Sequence, residues 1–392
     1  MLFENLEREK KPLENYVEVK NNQLYVAPRN WLDMIEFYSE DEIKKELCRV
    51  IKKHPFPYRS YSEVEVRKDW GKLQSSEPQI KHEEWEAPRQ AVERPLLYKG
   101  KPLVIFGDNK GKTVSDQFTQ PLRMECGYGS GGSPAYEWAN PDKENTFLRG
   151  LFGFKKDEIL ERGGIHEKTL RRLLISHTYM ASQFKTIVAK GLYNYFQAKN
   201  VLDFSAGWGD RLVGFHASNA ESYVGVDPNS KLHEPYGQIN SFCNTGKRAE
   251  MICSPAEDMD LGDKTFDFVF TSPPYFDIER YSQEDTQSWK RYPEVNSWVK
   301  GFLFPTLEKC WGHLSEGGRI LVNIADKKGF DLCTPMLKHM ESLGATYEGV
   351  IGYEMYQRAG QKTKKAFCEP VWVWSKGGAS EFKLKKENFF GV

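Results

Sequence analysis

From residue 200 onward, short apolar runs alternate with amphipathic stretches, and that alternation restricts the chain to few folds. Strands are predicted at 200–204, 222–226, 249–253, 266–271 and 319–324. Helices are predicted at about 208–218, 231–245, 296–313 and 332–343, after a mostly helical stretch over 170–196. The run FDFVFT at 266–271 reads as a buried strand. Strands and helices alternating at this spacing make an open parallel sheet with helices on both sides. Two further strands, 346–355 and 367–374, are joined by a polar loop and read as an antiparallel hairpin. The fold class is therefore α/β, a doubly wound sheet with a C-terminal hairpin.

The chain before it is less regular. Ser39 opens a helix with Glu42 completing a capping box, and Ile43, Leu47, Val50 and Ile51 form its apolar stripe. Pro55 and Pro57 end it. The run KPLVIFGD at 101–108 reads as a buried strand, and GYGSGGSP at 127–134 as a flexible or tight loop. The segment 161–169 is the expected boundary. It divides an N-terminal α+β extension, 1–160, from the sheet domain, 165–392.

Charge and cysteine content narrow the function. The 392 residues carry 55 Lys plus Arg and 55 Asp plus Glu, which excludes a binder acting through bulk charge. A local basic surface against nucleic acid stays open. No apolar run approaches the roughly 20 residues of a membrane helix, and the first residues lack a signal-length apolar core. A cytoplasmic location is the expectation. The cysteines stand singly with no C-x-x-C spacing, so free thiols and no metal are expected.

Two motifs sit at strand ends. VLDFSAGWGD carries D-x-x-x-G-x-G at Asp203, Gly207 and Gly209, between a strand and a helix. Glycines there let the backbone approach a ligand at a helix N-terminus. The next strand ends in Asp227, where an acid accepts hydrogen bonds from ribose hydroxyls. Leu212 occupies the place of the third glycine of a dinucleotide fingerprint, so a nicotinamide site is disfavoured. After FDFVFT comes Thr271-Ser272-Pro273-Pro274-Tyr275-Phe276. The prolines remove two donors and leave a turn rich in acceptors beside a flat ring. That suits a planar substrate bearing an exocyclic amine.

Residues 177–375 resemble the S-adenosylmethionine-dependent DNA amino-methyltransferases, particularly the N4-cytosine type. TSPPY resembles their catalytic motif, with Ser272 typical of the cytosine enzymes, and D-x-x-x-G-x-G resembles their cofactor motif. HTYMASQFK resembles the segment that holds the methionine end, CSPAEDMDL the acidic stretch near the adenine, and EPVWVWSK the last strand. The resemblance implies a class I methyltransferase (Rossmann-like) fold and S-adenosyl-L-methionine as cofactor. It implies cofactor contacts from His177, Phe184, Lys185, Asp203, Phe204, Ser205, Ala206, Gly207, Gly209, Asp227, Pro228, Glu257 and Asp258. Ser272, Pro273, Pro274 and Tyr275 would be catalytic, acting on a base flipped from double-stranded DNA. Phe276 would line the base pocket. Arg280, and Arg358, Lys362 and Lys364 in the loop between the last strands, would contact substrate. The roles implied are bacterial or phage DNA methylation, restriction-modification among them, with the extension as the candidate for target recognition.

Rival readings remain. GDNKGKT, 107–113, mimics a phosphate-binding loop, but three residues separate its glycines where four are required, and Pro121 argues against a following helix. An RNA or free-base amino-methyltransferase would keep the fold and the motif. A binding protein without turnover would be expected to lose Ser272 or Tyr275.

Overall fold

A computed structural model describes residues 9–20, 23–87, 95–128, 132–141, 146–178, 180–327, 329–355 and 365–377. They form two compact units, and each unit is discontinuous in sequence. The first takes the described residues up to Arg59 together with Arg123–Ala181. The second takes Ser60–Leu122 together with the described residues from Ser182 onward.

The second unit holds a ten-stranded sheet. Its strands are β1 (Gln79–Lys81), β2 (Trp85–Glu86), β3 (Val104–Phe106), β4 (Asn200–Asp203) and β5 (Ser222–Asp227). β6 (Arg248–Cys253), β7 (Phe266–Thr271), β8 (Leu314–Asn323), β9 (Thr346–Glu354) and β10 (Ala366–Ser375) complete it. The order is β6-β5-β4-β7-β8-β10-β9-β3-β1, with β2 paired to β10. β6, β5, β4, β7 and β8 run parallel. β10 is antiparallel to both β8 and β9, so the expected hairpin exists and its second strand is inserted between β8 and β9.

The helices used below are α1 (Glu63–Ser75), α2 (Lys112–Met124), α3 (Thr186–Tyr195), α4 (Asp210–Ala217), α5 (His233–Cys243), α6 (Phe304–His313) and α7 (Cys333–Ser342). Alternate residues of β7 face opposite layers. Phe268 and Phe270 lie 5.9 and 6.0 Å from the Tyr193 ring of α3. Val269 joins Leu307 of α6 and Met336 of α7 in the opposite core. Burial on both faces is why this strand is apolar at Phe266, Phe268, Val269 and Phe270.

Several expectations need correction. The boundary near 165 does not divide the compact units, because residues 79–106 belong to the sheet. β3 pairs parallel with β9, Val104 opposite Gly352 and Ile105 opposite Tyr353, and β1 pairs antiparallel with β3. Gly352 is needed there, since a Cβ on it would lie 2.8 Å from the Trp85 ring. The helix predicted over 170–196 is two, Glu167–His177 and α3. The helix predicted over 296–313 contains a wide π-turn at Val299–Leu303, just before Pro305, which has no N–H to return to the ladder. Pro121 does not prevent a helix, for α2 runs through it. The phosphate-loop resemblance still fails. Asp69 accepts hydrogen bonds from the Thr113 N–H and hydroxyl at 3.2 and 2.7 Å, so a carboxylate already caps that helix start.

The first unit contains a three-stranded antiparallel sheet of Glu18–Lys20, Gln23–Val26 and Ile165–His166. Ser39 and Glu42 form the expected capping box, and Ile43, Leu47 and Ile51 enter a core with Trp31, Trp138, Phe147 and Leu170.

Candidate active site

Asp203 ends β4, and its carboxylate is the hub of the site. Arg211 of α4 meets it with two N–H groups, Nε at 2.8 Å and Nη2 at 3.1 Å. The Tyr223 hydroxyl of β5 donates at 2.7 Å and the Thr271 hydroxyl of β7 at 3.0 Å. The Ser205 N–H donates at 3.3 Å. All four side chains are buried. One carboxylate thus ties three strands and a helix together beneath the glycine turn. The sequence reading assigned Asp203 to the cofactor; the structure engages it in this internal network. The readable signal was Arg211, a lone cation in the apolar helix start DRLVGF.

Above this hub the chain turns through Gly207 (φ +58°) and Gly209 (φ +79°), which delays α4 to Asp210. A Cβ on Gly209 would lie 2.6 Å from Ile239 of α5, so that glycine is fixed by packing. A Cβ on Gly207 would meet only the Ser205 carbonyl, at 3.7 Å, so the turn leaves open space a side chain would fill. Phe204 and Ala206 are buried below it. The Gly207 N–H donates to Asp227 at 2.9 Å and the Asn229 N–H to its other oxygen at 2.9 Å. Burial pushes the Asp227 carboxyl up to about 6, against the pull of those two N–H groups.

A strap of chain, residues 281–291, crosses these loops. Tyr281 lies edge-on to Trp208 of the glycine turn, 5.7 Å between centroids. Glu284 accepts from the Ser230 N–H at 3.0 Å and from its hydroxyl. Thr286 donates to the Pro228 carbonyl at 3.1 Å. Arg291 pairs with Glu257 at 2.6 Å and Asp258 at 2.7 Å in the turn after β6. Glu257 is buried, which raises its pKa, whereas the Asp258 carboxylate stays open to solvent. Arg291 carries no local signal of this role, because its partners lie on a different loop.

The Ser-Pro-Pro-Tyr turn leaves the end of β7 beside this strap. Thr271 anchors it to Asp203. Ser272 and Pro274 are half-buried and Pro273 is buried. The Tyr275 hydroxyl donates to Glu369 of β10 at 3.1 Å, and the Lys327 ammonium stands 4.2 Å from the centre of its ring. Phe276 was expected in a base pocket; it is buried in the core, 5.3 Å from Phe330 and 6.3 Å from Trp298. It holds a left-handed backbone, φ +58°, which is unusual for a bulky residue. The Arg280 guanidinium covers Trp289 at 4.7 Å and lies 3.9 Å from Asp277.

The upstream segment is also internal. The Phe184 N–H donates to Asp210 at 3.1 Å, and its ring lies 4.7 Å from Tyr353. The Lys185 ammonium bonds the Glu354 carbonyl at 2.7 Å and carboxylate at 3.1 Å. His177 ends a helix of the first unit, exposed, its Nδ1 2.8 Å from the Leu173 carbonyl. Arg358, Lys362 and Lys364 lie outside the described residues. Among the described residues there is no metal-binding group of side chains, and no cysteine is in a disulfide. No described helix is long and apolar enough to cross a membrane.

The order β6-β5-β4-β7-β8-β10-β9 with β10 antiparallel is the class I methyltransferase fold, Rossmann-like and doubly wound. No family model matches the chain. The type II beta methyltransferase M.BslI of Bacillus sp. (strain NEB-606) is 30% identical over 91 residues. The match spans 23% of this chain and only 9% of that protein. Among solved structures, a methyltransferase from Pyrococcus furiosus is 15% identical, with 50% of this chain and 84% of that one covered and a TM-score of 0.32. An S-adenosylmethionine-dependent methyltransferase from Clostridium acetobutylicum ATCC 824 is 10% identical, covering 49% and 90%, TM-score 0.34. An rRNA methylase from Streptococcus thermophilus is 12% identical, covering 45% and 86%, TM-score 0.31.

Proposed function

We propose that this chain is an S-adenosylmethionine-dependent methyltransferase acting on the exocyclic amine of a flipped DNA base, at cytosine N4. The observation that carries the reading is the Ser-Pro-Pro-Tyr turn, fastened by Thr271 to the carboxylate that also holds the glycine turn. The short match to a type II beta methyltransferase agrees with DNA as substrate. When bound, the cofactor supplies a methyl group on a sulfonium, electrophilic enough to react with a neutral amine.

The residues present fit that cofactor. The open space at Gly207 would admit the cofactor close to the turn, and Asp227, with oxygen lone pairs left after two N–H bonds, would accept from the ribose hydroxyls. Asp258 is the acceptor near the adenine. Ser272 and the Pro273 carbonyl hold the amine of the base, and the Tyr275 ring sets the plane against which it lies. Catalysis here is placement in a preorganised site rather than strong-base chemistry.

The test is nucleoside mass spectrometry on unmethylated DNA, with RNA in parallel, after incubation with isotope-labelled cofactor. N4-methylcytosine in DNA is expected. N6-methyladenine would keep the chemistry and overturn the base. Label in RNA alone would overturn the substrate.

A further inference from the structure

The Tyr275 ring is held from two directions that the expected motif does not contain. It is only 9% exposed. Its hydroxyl donates to Glu369 Oε2 at 3.1 Å. The Lys327 ammonium sits 4.2 Å from the ring centre and 3.8 Å from Glu369 Oε1, bridging ring and carboxylate. The three groups come from three neighbouring strand ends, namely the turn after β7, the segment after β8 and the first residues of β10. Glu279, itself buried, adds a second carboxyl facing Lys327 and Glu369.

An ion pair at this separation contributes little to stability, and burying carboxyls beside an aromatic ring costs free energy. Their geometric effect is specific. A cation over one ring face occupies it, and a carboxylate on the hydroxyl fixes the direction of the ring axis. Together they fix the tilt of the ring.

We propose that Glu369 and Lys327 are positioning residues for Tyr275, fixing the tilt at which its ring meets the methyl-accepting base. The inference rests on the function proposed above. Neither residue touches the reacting atoms. Both act through the tyrosine, so their loss lowers turnover while cofactor and substrate binding persist.

Glu369→Gln and Lys327→Met are each expected to lower kcat about tenfold, with KM for DNA and cofactor Kd within about twofold. Lys327→Arg, which restores a cation over the ring, is expected to recover most of the loss. In a Tyr275→Phe background Glu369→Gln should lose the part of its effect that acts through the hydroxyl and keep only the part that acts through Lys327. A readout free of turnover accompanies these. With lysine labelled at Cε, the Lys327 ε-protons should show an upfield ring-current shift that Glu369→Gln reduces. Unchanged kcat in both variants, or a loss confined to KM, overturns the proposal, as does a wild-type chain without the ring-current shift. A wild-type chain that labels no nucleic acid overturns the function above instead, and the shift still decides the positioning.

Discussion

Asp203 and Arg211 face each other as a fully buried two-pronged pair, with Nε 2.8 Å from Oδ2 and Nη2 3.1 Å from Oδ1. Removing one partner strands the other charge in the interior. Arg211→Met is therefore expected to cost about 3–5 kcal/mol, and the double variant with Asp203→Asn less than the sum of the two. Urea unfolding of the single and double variants measures both quantities.

Asp227 gives two pH dependences of opposite sign. Its folded value, about 6, lies above the ordinary 3.8. Its contribution to stability is thus fully present below the ordinary value and is lost as pH rises through about 6, a change of about 3 kcal/mol at most. Binding through an ionised carboxylate runs the other way and strengthens as pH rises through the same range. Unfolding and cofactor titrations at pH 5 and pH 7 should diverge in this manner, and Asp227→Ala should abolish this component of both and weaken cofactor binding at least tenfold.

Phe276 separates backbone strain from packing. Phe276→Ala should cost about 3–5 kcal/mol through the cavity it leaves. At an ordinary φ, glycine would be worse than alanine by about 0.5–1 kcal/mol. Held at φ +58°, Phe276→Gly should instead be no worse than Phe276→Ala in denaturant unfolding.

The strap depends on Arg291. Arg291→Met removes both ion pairs to the turn after β6 and leaves Glu257 buried without its cation. Cofactor affinity is expected to fall about tenfold, with a stability loss of about 1–3 kcal/mol. Calorimetric titration checks the first and thermal unfolding the second.

Legibility from sequence tracked locality. Strands β4 to β10 and the glycine turn were readable because alternating apolar periods and turn residues are local signals. The place of the Ser-Pro-Pro-Tyr turn followed from its strand. The roles of Asp203, Lys185 and Phe276 did not, because their partners Tyr223, Glu354 and Phe330 lie on other elements. β1 to β3 were unreadable as parts of this sheet for the same reason. A three-residue strand such as Val104–Phe106 carries no mark of its partner.

That pairing has a consequence for how the protein is made. Val104 and Ile105 leave the ribosome long before their partners Gly352 and Tyr353. Trp85 waits longer still for Ala366. The β1–β3 pair therefore keeps its β9 edge open while the strands between are still being added. Closure of this edge is a late, long-range event of the kind that folds slowly and exposes strand edges to aggregation. A chain interrupted before β9 would carry β3 with that edge uncovered.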